Sequence, residues 1–156
     1  MKWVNHIAIA SSISLVFNPA LVPVTALGAT APDWIEFALE KINIRIRHRT
    51  TTHYLSLWVF GVVFSLLIFD LNNILFWFCV GGVSHCLTDA LTISGIPLGW
   101  WSDRRFTLLG GRLRTGQAGE YIVAGGFVVV AFVVSWTMQG TDRAFTPYLY
   151  NYRDLY

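Results

Sequence analysis

Residues 119–138, GEYIVAGGFVVVAFVVSWTM, contain one carboxylate and no Lys or Arg. That length matches the ~20 apolar residues a helix needs to cross about 30 Å of hydrocarbon. Two further stretches are nearly as apolar: residues 54–69 hold no charge, and residues 73–93 carry His85 and Asp89. In lipid each backbone polar group must find its partner within the segment, so such stretches are helices. The expected fold is all-α, a small polytopic membrane bundle of three spanning helices in one domain over residues 1–156. The composition agrees, with 54% hydrophobic, 13% charged and 15% aromatic residues. A formal charge of +2 argues against a nucleic-acid partner and leaves membrane lipids as the expected surroundings. Cys79 and Cys86 are seven residues apart on one predicted helix, about 10 Å, too far for a disulfide.

The N-terminal stretch, residues 4–30, is apolar but interrupted at Asn18-Pro19 and at Pro23. Three readings compete. It is one kinked span, a signal peptide with Ala29-Thr30-Ala31 as an A-x-A cleavage site, or a helical hairpin that turns at Asn18-Pro19. Proline removes a backbone donor and disfavours helix in the residue before it, so a break there is physically natural. Charge favours the hairpin. Lys41, Arg45, Arg47 and Arg49 precede the first span, and Arg104, Arg105, Arg112 and Arg114 lie between the second and third. By the positive-inside rule both loops are cytoplasmic, and a hairpin puts Lys2 on the same side. Asp70-Leu71-Asn72-Asn73 is then a tight helix–helix turn.

An ionisable group at membrane depth costs several kcal/mol unless it is paired, hydrated or bound to metal, so it is a functional candidate by default. His85 and Asp89, four apart, share one helix face. His53 opens the preceding antiparallel helix and Asp89 ends its own, so both meet at one end of the bundle. Asp33, His48 and Glu120 fall on that same side, and the hairpin returns His6 to it. Histidines with carboxylates suit zinc or another divalent metal, as one ion or two. Asp89, Asp33 or Glu120 is a base if not a ligand, and Arg49 can fork onto a phosphate oxygen. The arginines also serve as a topology signal and attract anionic lipid, with Trp100-Trp101 as an interfacial anchor. Gly81-Gly82 permit close helix approach, which would bring His53 near His85.

The order His6, Gly28…Pro32-Asp33, His48-Arg49-Thr50-Thr51-Thr52-His53, Ser84-His85…Asp89 and Gly95-Ile96-Pro97 carries more than any one motif. It resembles the membrane-bound metal-dependent hydrolase family that includes the LexA-regulated inner-membrane hydrolases of bacteria. That family shows an early His, a G…PD segment, H-R-x-x-T-H, and H-x-x-x-D followed by a G-I/V-P turn. Arg114-Thr115-Gly116…Glu120 is similar to its T-G…E element, and the resemblance spans nearly the whole chain. A more distant likeness is to zinc-dependent phospholipase C. The resemblance implies metal-dependent hydrolysis of a phosphoester or lipid-linked substrate in a bacterial inner membrane. It implies His6, Asp33, His53, His85 and Asp89 as ligands, with His48 and Glu120 less closely matched. One position departs from the pattern: where the family reads P-D-x-D, this chain has Ile35, and Glu36 follows one residue later.

Two other readings stand beside the hydrolase. A membrane accessory protein could keep a structural metal and use the aromatic C-terminal tail, Phe145 to Tyr156, to dock a protein partner. A proton or ion path through His85 and Asp89 would need ionisable groups toward both membrane faces, yet only Asp70 lies toward the other.

Overall fold

Asn18-Pro19 divides the N-terminal apolar stretch into two helices, α1 (Trp3–Phe17) and α2 (Val22–Lys41), joined by a short 3-10 turn at Pro19–Leu21. The two pack side by side as the hairpin that the proline break and the charges favour. Ala29-Thr30-Ala31, the A-x-A segment, lies buried inside α2. The computed structural model describes residues 1–44, 49–68 and 70–139. After a 3-10 turn at Thr51–His53, helix α3 (Leu55–Leu67) runs away from the His53 end and α4 (Ile74–Ala90) returns to it. Helix α5 (Ala118–Gln139) leaves from that end again and packs on α1.

The tight turn between α3 and α4 is where it was expected. Asn72 and Asn73 adopt left-handed φ of 54° and 60°, a region asparagine tolerates better than most residues. The Asp70 carboxylate accepts the Leu75 and Phe76 backbone N–H groups at 3.0 and 2.7 Å, which satisfies two orphan donors of the first turn of α4.

Two expectations need correction. Among the described residues only α5, over Ala118–Met138, is long and apolar enough to cross a membrane, rather than three helices. Helices of 13 and 17 residues make α3 and α4 about 20 and 26 Å long, short of the hydrocarbon thickness. The cause is local: α3 begins only after the His53 turn, and α4 gives way at Leu91 to a turn. The second correction is to the all-α class. Strands β1 (Ile96–Gly99) and β2 (Ser102–Phe106) pair antiparallel, with Ile96 opposite Phe106 and Gly99 opposite Ser102. Pro97 bars helix there, Gly95 takes φ 58°, and Trp100-Trp101 form the turn.

Glycines set the distance between helices. A Cβ on Gly28 would fall on the Phe78 carbonyl, and one on Gly81 would fall on the Thr25 carbonyl and the backbone of residues 28 and 29. These two glycines therefore let the backbones of α2 and α4 touch. Gly82 performs a different task, because its missing side chain is replaced by the Trp58 ring of α3. Trp58 in turn donates its indole N–H to the Thr52 carbonyl at 2.8 Å and so fixes the turn that carries His53. Around this contact Ala31, Trp58, Cys79, Cys86, Ala90 and Ile96 form the main core, and both cysteines are free thiols. Gly125 and Gly126 face open space instead. Gly28→Ala is expected to destabilise the fold by about 1–3 kcal/mol through overpacking, while Gly126→Ala is neutral or slightly stabilising. Thermal unfolding of the two variants in detergent checks the contrast.

Candidate metal centre

The starts of α1, α3 and α5 and the ends of α2 and α4 converge, and three of the four histidines meet there. His6 lies in the first turns of α1, Asp33 in the second half of α2, His53 in the turn before α3, and His85 and Asp89 in the last turns of α4. His6, His85 and Asp89 offer ligand atoms within 4.8 Å of one another, and so do Asp33, His53 and His85.

Hydrogen bonds fix how the two central imidazoles are presented. His85 Nδ1 lies 2.7 Å from the Ala29 carbonyl, which can only accept, so Nδ1 carries the proton. Pro32, inside α2, has no N–H for the Gly28 carbonyl. His6 Nδ1 lies 2.7 Å from Thr88 Oγ1. That hydroxyl gives its hydrogen to the carbonyls of Ser84 and His85, at 2.9 and 3.0 Å, so His6 Nδ1 is again the donor. In neutral imidazoles both Nε2 lone pairs are therefore free, and both atoms are buried without a hydrogen-bond partner. The rings stack with centroids 3.9 Å apart, and both offer a ligand atom within 4.8 Å of the Asp89 carboxylate.

The distances match a small cation's coordination shell. Ligands about 2.1 Å from a tetrahedral ion lie about 3.4 Å from each other. His6 Nε2 is 3.4 Å from Asp89 Oδ1, and His85 Nε2 is 3.8 Å from Asp89 Oδ2 and 4.0 Å from Asp33 Oδ1. His53 Nε2 is 3.2 Å from Asp33 Oδ1. A buried lone pair facing a carboxylate is repulsive unless positive charge lies near them; the Met1 amine and Arg49 supply some at Asp89, and a divalent ion held between the ligand atoms would supply more. His85 has one available nitrogen and belongs to both groups, so the two groups form one centre rather than two independent ones.

Neighbouring groups position the ligands. Trp3 donates its indole N–H to Asp33 Oδ2 at 2.5 Å. Burial alone would raise the Asp33 carboxyl, but the His53 hydrogen bond and the charges of His85 and His53 outweigh it and bring its pKa down to about 2. Asp33 is thus a ready anionic ligand at neutral pH. Asp89 also receives the Met1 amine, and the Arg49 guanidinium lies 2.9 Å from its Oδ2. Arg49 itself adopts φ 57°, a strained conformation for a residue with a side chain. The ion pair with Asp89 and a 3.3 Å bond from its N–H to Glu36 Oε2 hold it there.

Of the residues expected at the site, the structure brings His6, Asp33, His53, His85 and Asp89 together, with Arg49 beside Asp89. His48 lies outside the described residues, as does the C-terminal tail. Glu120 sits elsewhere: its buried carboxylate accepts from Lys2 N, Asn5 Nδ2 and Gly116 N at 3.0, 2.5 and 3.0 Å. It ties the start of α5 to the start of α1, next to His6 in sequence through Asn5. Ile35 packs into the apolar core, whereas Glu36, one helical turn from Asp33, is buried with Oε2 3.7 Å from His53 Nδ1. The i,i+3 spacing could have shown this. Thr88 and the Ala29 carbonyl were missed; Thr88, three residues after His85, carried a readable signal.

Buried histidines and carboxylates at one end of a helical bundle, with an apolar helix of membrane length, define a membrane protein with a candidate metal centre. The chain belongs to the YdjM inner membrane protein family, whose model matches residues 1–144, and so is an inner-membrane protein. No curated protein and no solved structure matches it. Thr88→Val removes the acceptor that orients His6 and is expected to weaken zinc binding roughly 10–100-fold with the fold retained. Competition against a zinc-responsive chelator dye measures this.

Proposed function

We propose that the protein is a metal-dependent hydrolase of the bacterial inner membrane. The observation that carries this reading is the pair of buried, unpartnered Nε2 atoms of His6 and His85 converging on Asp89. His6, His85 and Asp89 would hold the ion, with Asp33 and His53 as further donors, and the mixed nitrogen and oxygen set suits zinc. A divalent ion bound there supplies Lewis acidity toward a phosphoryl or carbonyl oxygen.

The chain's own groups divide the remaining work. A cleft of about 310 Å³, lined by Met1, Trp3, Asp33, Glu36, Phe37 and Arg49 among others, leads to the centre. Asp33, with 19% of its side chain exposed, is the ligand closest to solvent, whereas Asp89 at 1% is closed off. Arg49 lines the cleft and presents its guanidinium to a phosphate oxygen, which matches its forked donors. Trp3 and Phe37, 53% and 60% exposed, give the cleft apolar walls for a lipid-linked or other amphiphilic phosphoester. Glu120, committed to α1, positions His6 rather than moving protons. The resemblance to metal-dependent hydrolases and, more distantly, to zinc-dependent phospholipase C supports the same chemistry.

The topology follows the charges. Lys41 and Arg49 and the four arginines from Arg104 to Arg114 occupy the end of the bundle that holds the site, so the positive-inside rule assigns that end to the cytoplasm. In this arrangement α5, packed on α1, crosses the membrane, and the shorter α3–α4 pair enters from the cytoplasmic side and turns back at Asn72-Asn73.

Metal analysis of the detergent-purified full chain tests the centre, with one equivalent of zinc expected and near-background content for His85→Ala. Full metal content in His85→Ala would overturn the assignment. Hydrolysis of lipid phosphates should be lost in Asp89→Ala. Stoichiometric zinc with no turnover across such substrates would make the centre structural, as in an accessory protein.

A further inference from the structure

A groove of about 550 Å³ lies between the end of α4, the segment after β2 and the first turns of α5. Leu91, Leu109, Leu113, Val123 and Phe127 line it, and Arg112 is its only charged wall. Leu109 is 80% exposed and is held at φ 51°, a strained conformation for leucine. A large apolar side chain turned outward in this way is unfavourable in water and favourable against hydrocarbon.

The groove has a direction. Arg112 precedes α5, while Val123 and Phe127 lie about 8 and 14 Å along the helix axis from Ala118. Because α5 is the helix of membrane length, the charged end of the groove stands at headgroup level and its apolar end at acyl-chain depth. In the β1–β2 turn, which precedes this segment in the chain, Trp100 and Trp101 are 79% and 60% exposed, as expected of interfacial aromatic residues. Arg104 and Arg105 line a neighbouring groove with Trp101 and Phe106. Arg112 is exposed and makes no ion pair among the described residues.

From this arrangement we infer that the groove binds one anionic phospholipid, its phosphate on Arg112 and an acyl chain along Leu109, Leu113, Val123 and Phe127. The guanidinium fork matches a phosphate, and the apolar walls continue to a depth that a soluble anion would leave uncovered. The groove shares no residue with the metal centre, so this site stands whether or not the protein is a hydrolase.

Native mass spectrometry of the full chain in detergent tests it. The probes are phosphatidylglycerol, phosphatidylcholine with the same acyl chains, and deacylated glycerophosphoglycerol. One phosphatidylglycerol should be retained in preference to phosphatidylcholine by about fivefold, the equivalent of ~1 kcal/mol for one arginine at an anionic surface. Arg112→Gln should reduce that preference toward unity, Arg112→Lys should keep most of it, and Leu109→Gln should weaken both lipids alike. Equal retention of the two lipids by the unsubstituted protein, or an undiminished preference in Arg112→Gln, overturns the inference. Glycerophosphoglycerol bound as tightly as the intact lipid overturns the acyl groove and leaves a site for free headgroups.

Discussion

The hydrogen bond from His85 Nδ1 to the Ala29 carbonyl depends on how closely α2 and α4 approach, and much of the structure follows from that approach. Gly28 and Gly81 bring the two backbones together, so the imidazole of α4 reaches a carbonyl of α2. With the proton held on Nδ1, the other nitrogen faces the carboxylates as a lone pair. A Cβ at either glycine would push the helices apart and release the imidazole. The centre is therefore built from backbone geometry as much as from its ligands.

Around that contact the site is held by partners that are not ligands. Thr88 sets the proton on His6, Trp3 orients Asp33, and Glu36 secures the backbone of Arg49. Glu120 anchors the start of α1 through Lys2 and Asn5, and so acts on His6 through the chain. Gly82 seats Trp58, which holds the Thr52 carbonyl and through it the His53 turn. Hydrogen-bonded neighbours of this kind fix ring orientation and tautomer, which decides whether a ligand set is competent.

The site was more legible in the sequence than the fold. Ionisable residues in apolar segments are few, and the i,i+4 spacing of His85 and Asp89 with the end-to-end placement of His53 required them to meet. A turn at Pro19 also places His6, because a hairpin has only one end to which it can return that residue. Span number was less legible, since apolar composition does not report where a helix stops. The residues of 54–69 and 73–93 are apolar throughout, yet α3 and α4 end where Ile68 and Leu91 leave the helix. The β-hairpin escaped an all-α reading because Ile96-Pro97 and Phe106 are too short a pattern to separate from a loop. Glu36, the residue after Ile35, reaches His53 because a helix turn joins residue 33 to 36 rather than to 35.

The partners of His6 lie far along the chain: Thr88 is 82 residues away. Helix α1 thus contributes to a centre whose members on α4 are made about 80 residues later. Such a centre is closed by long-range contacts, which form late because the chain between them must be ordered first. During synthesis α1 and α2 can pair as a hairpin from local contacts alone, but His6 has no fixed proton until α4 has come into place. The N-terminal hairpin is in this sense a waiting half-site, and the return of α4 along α2 is the event that completes it.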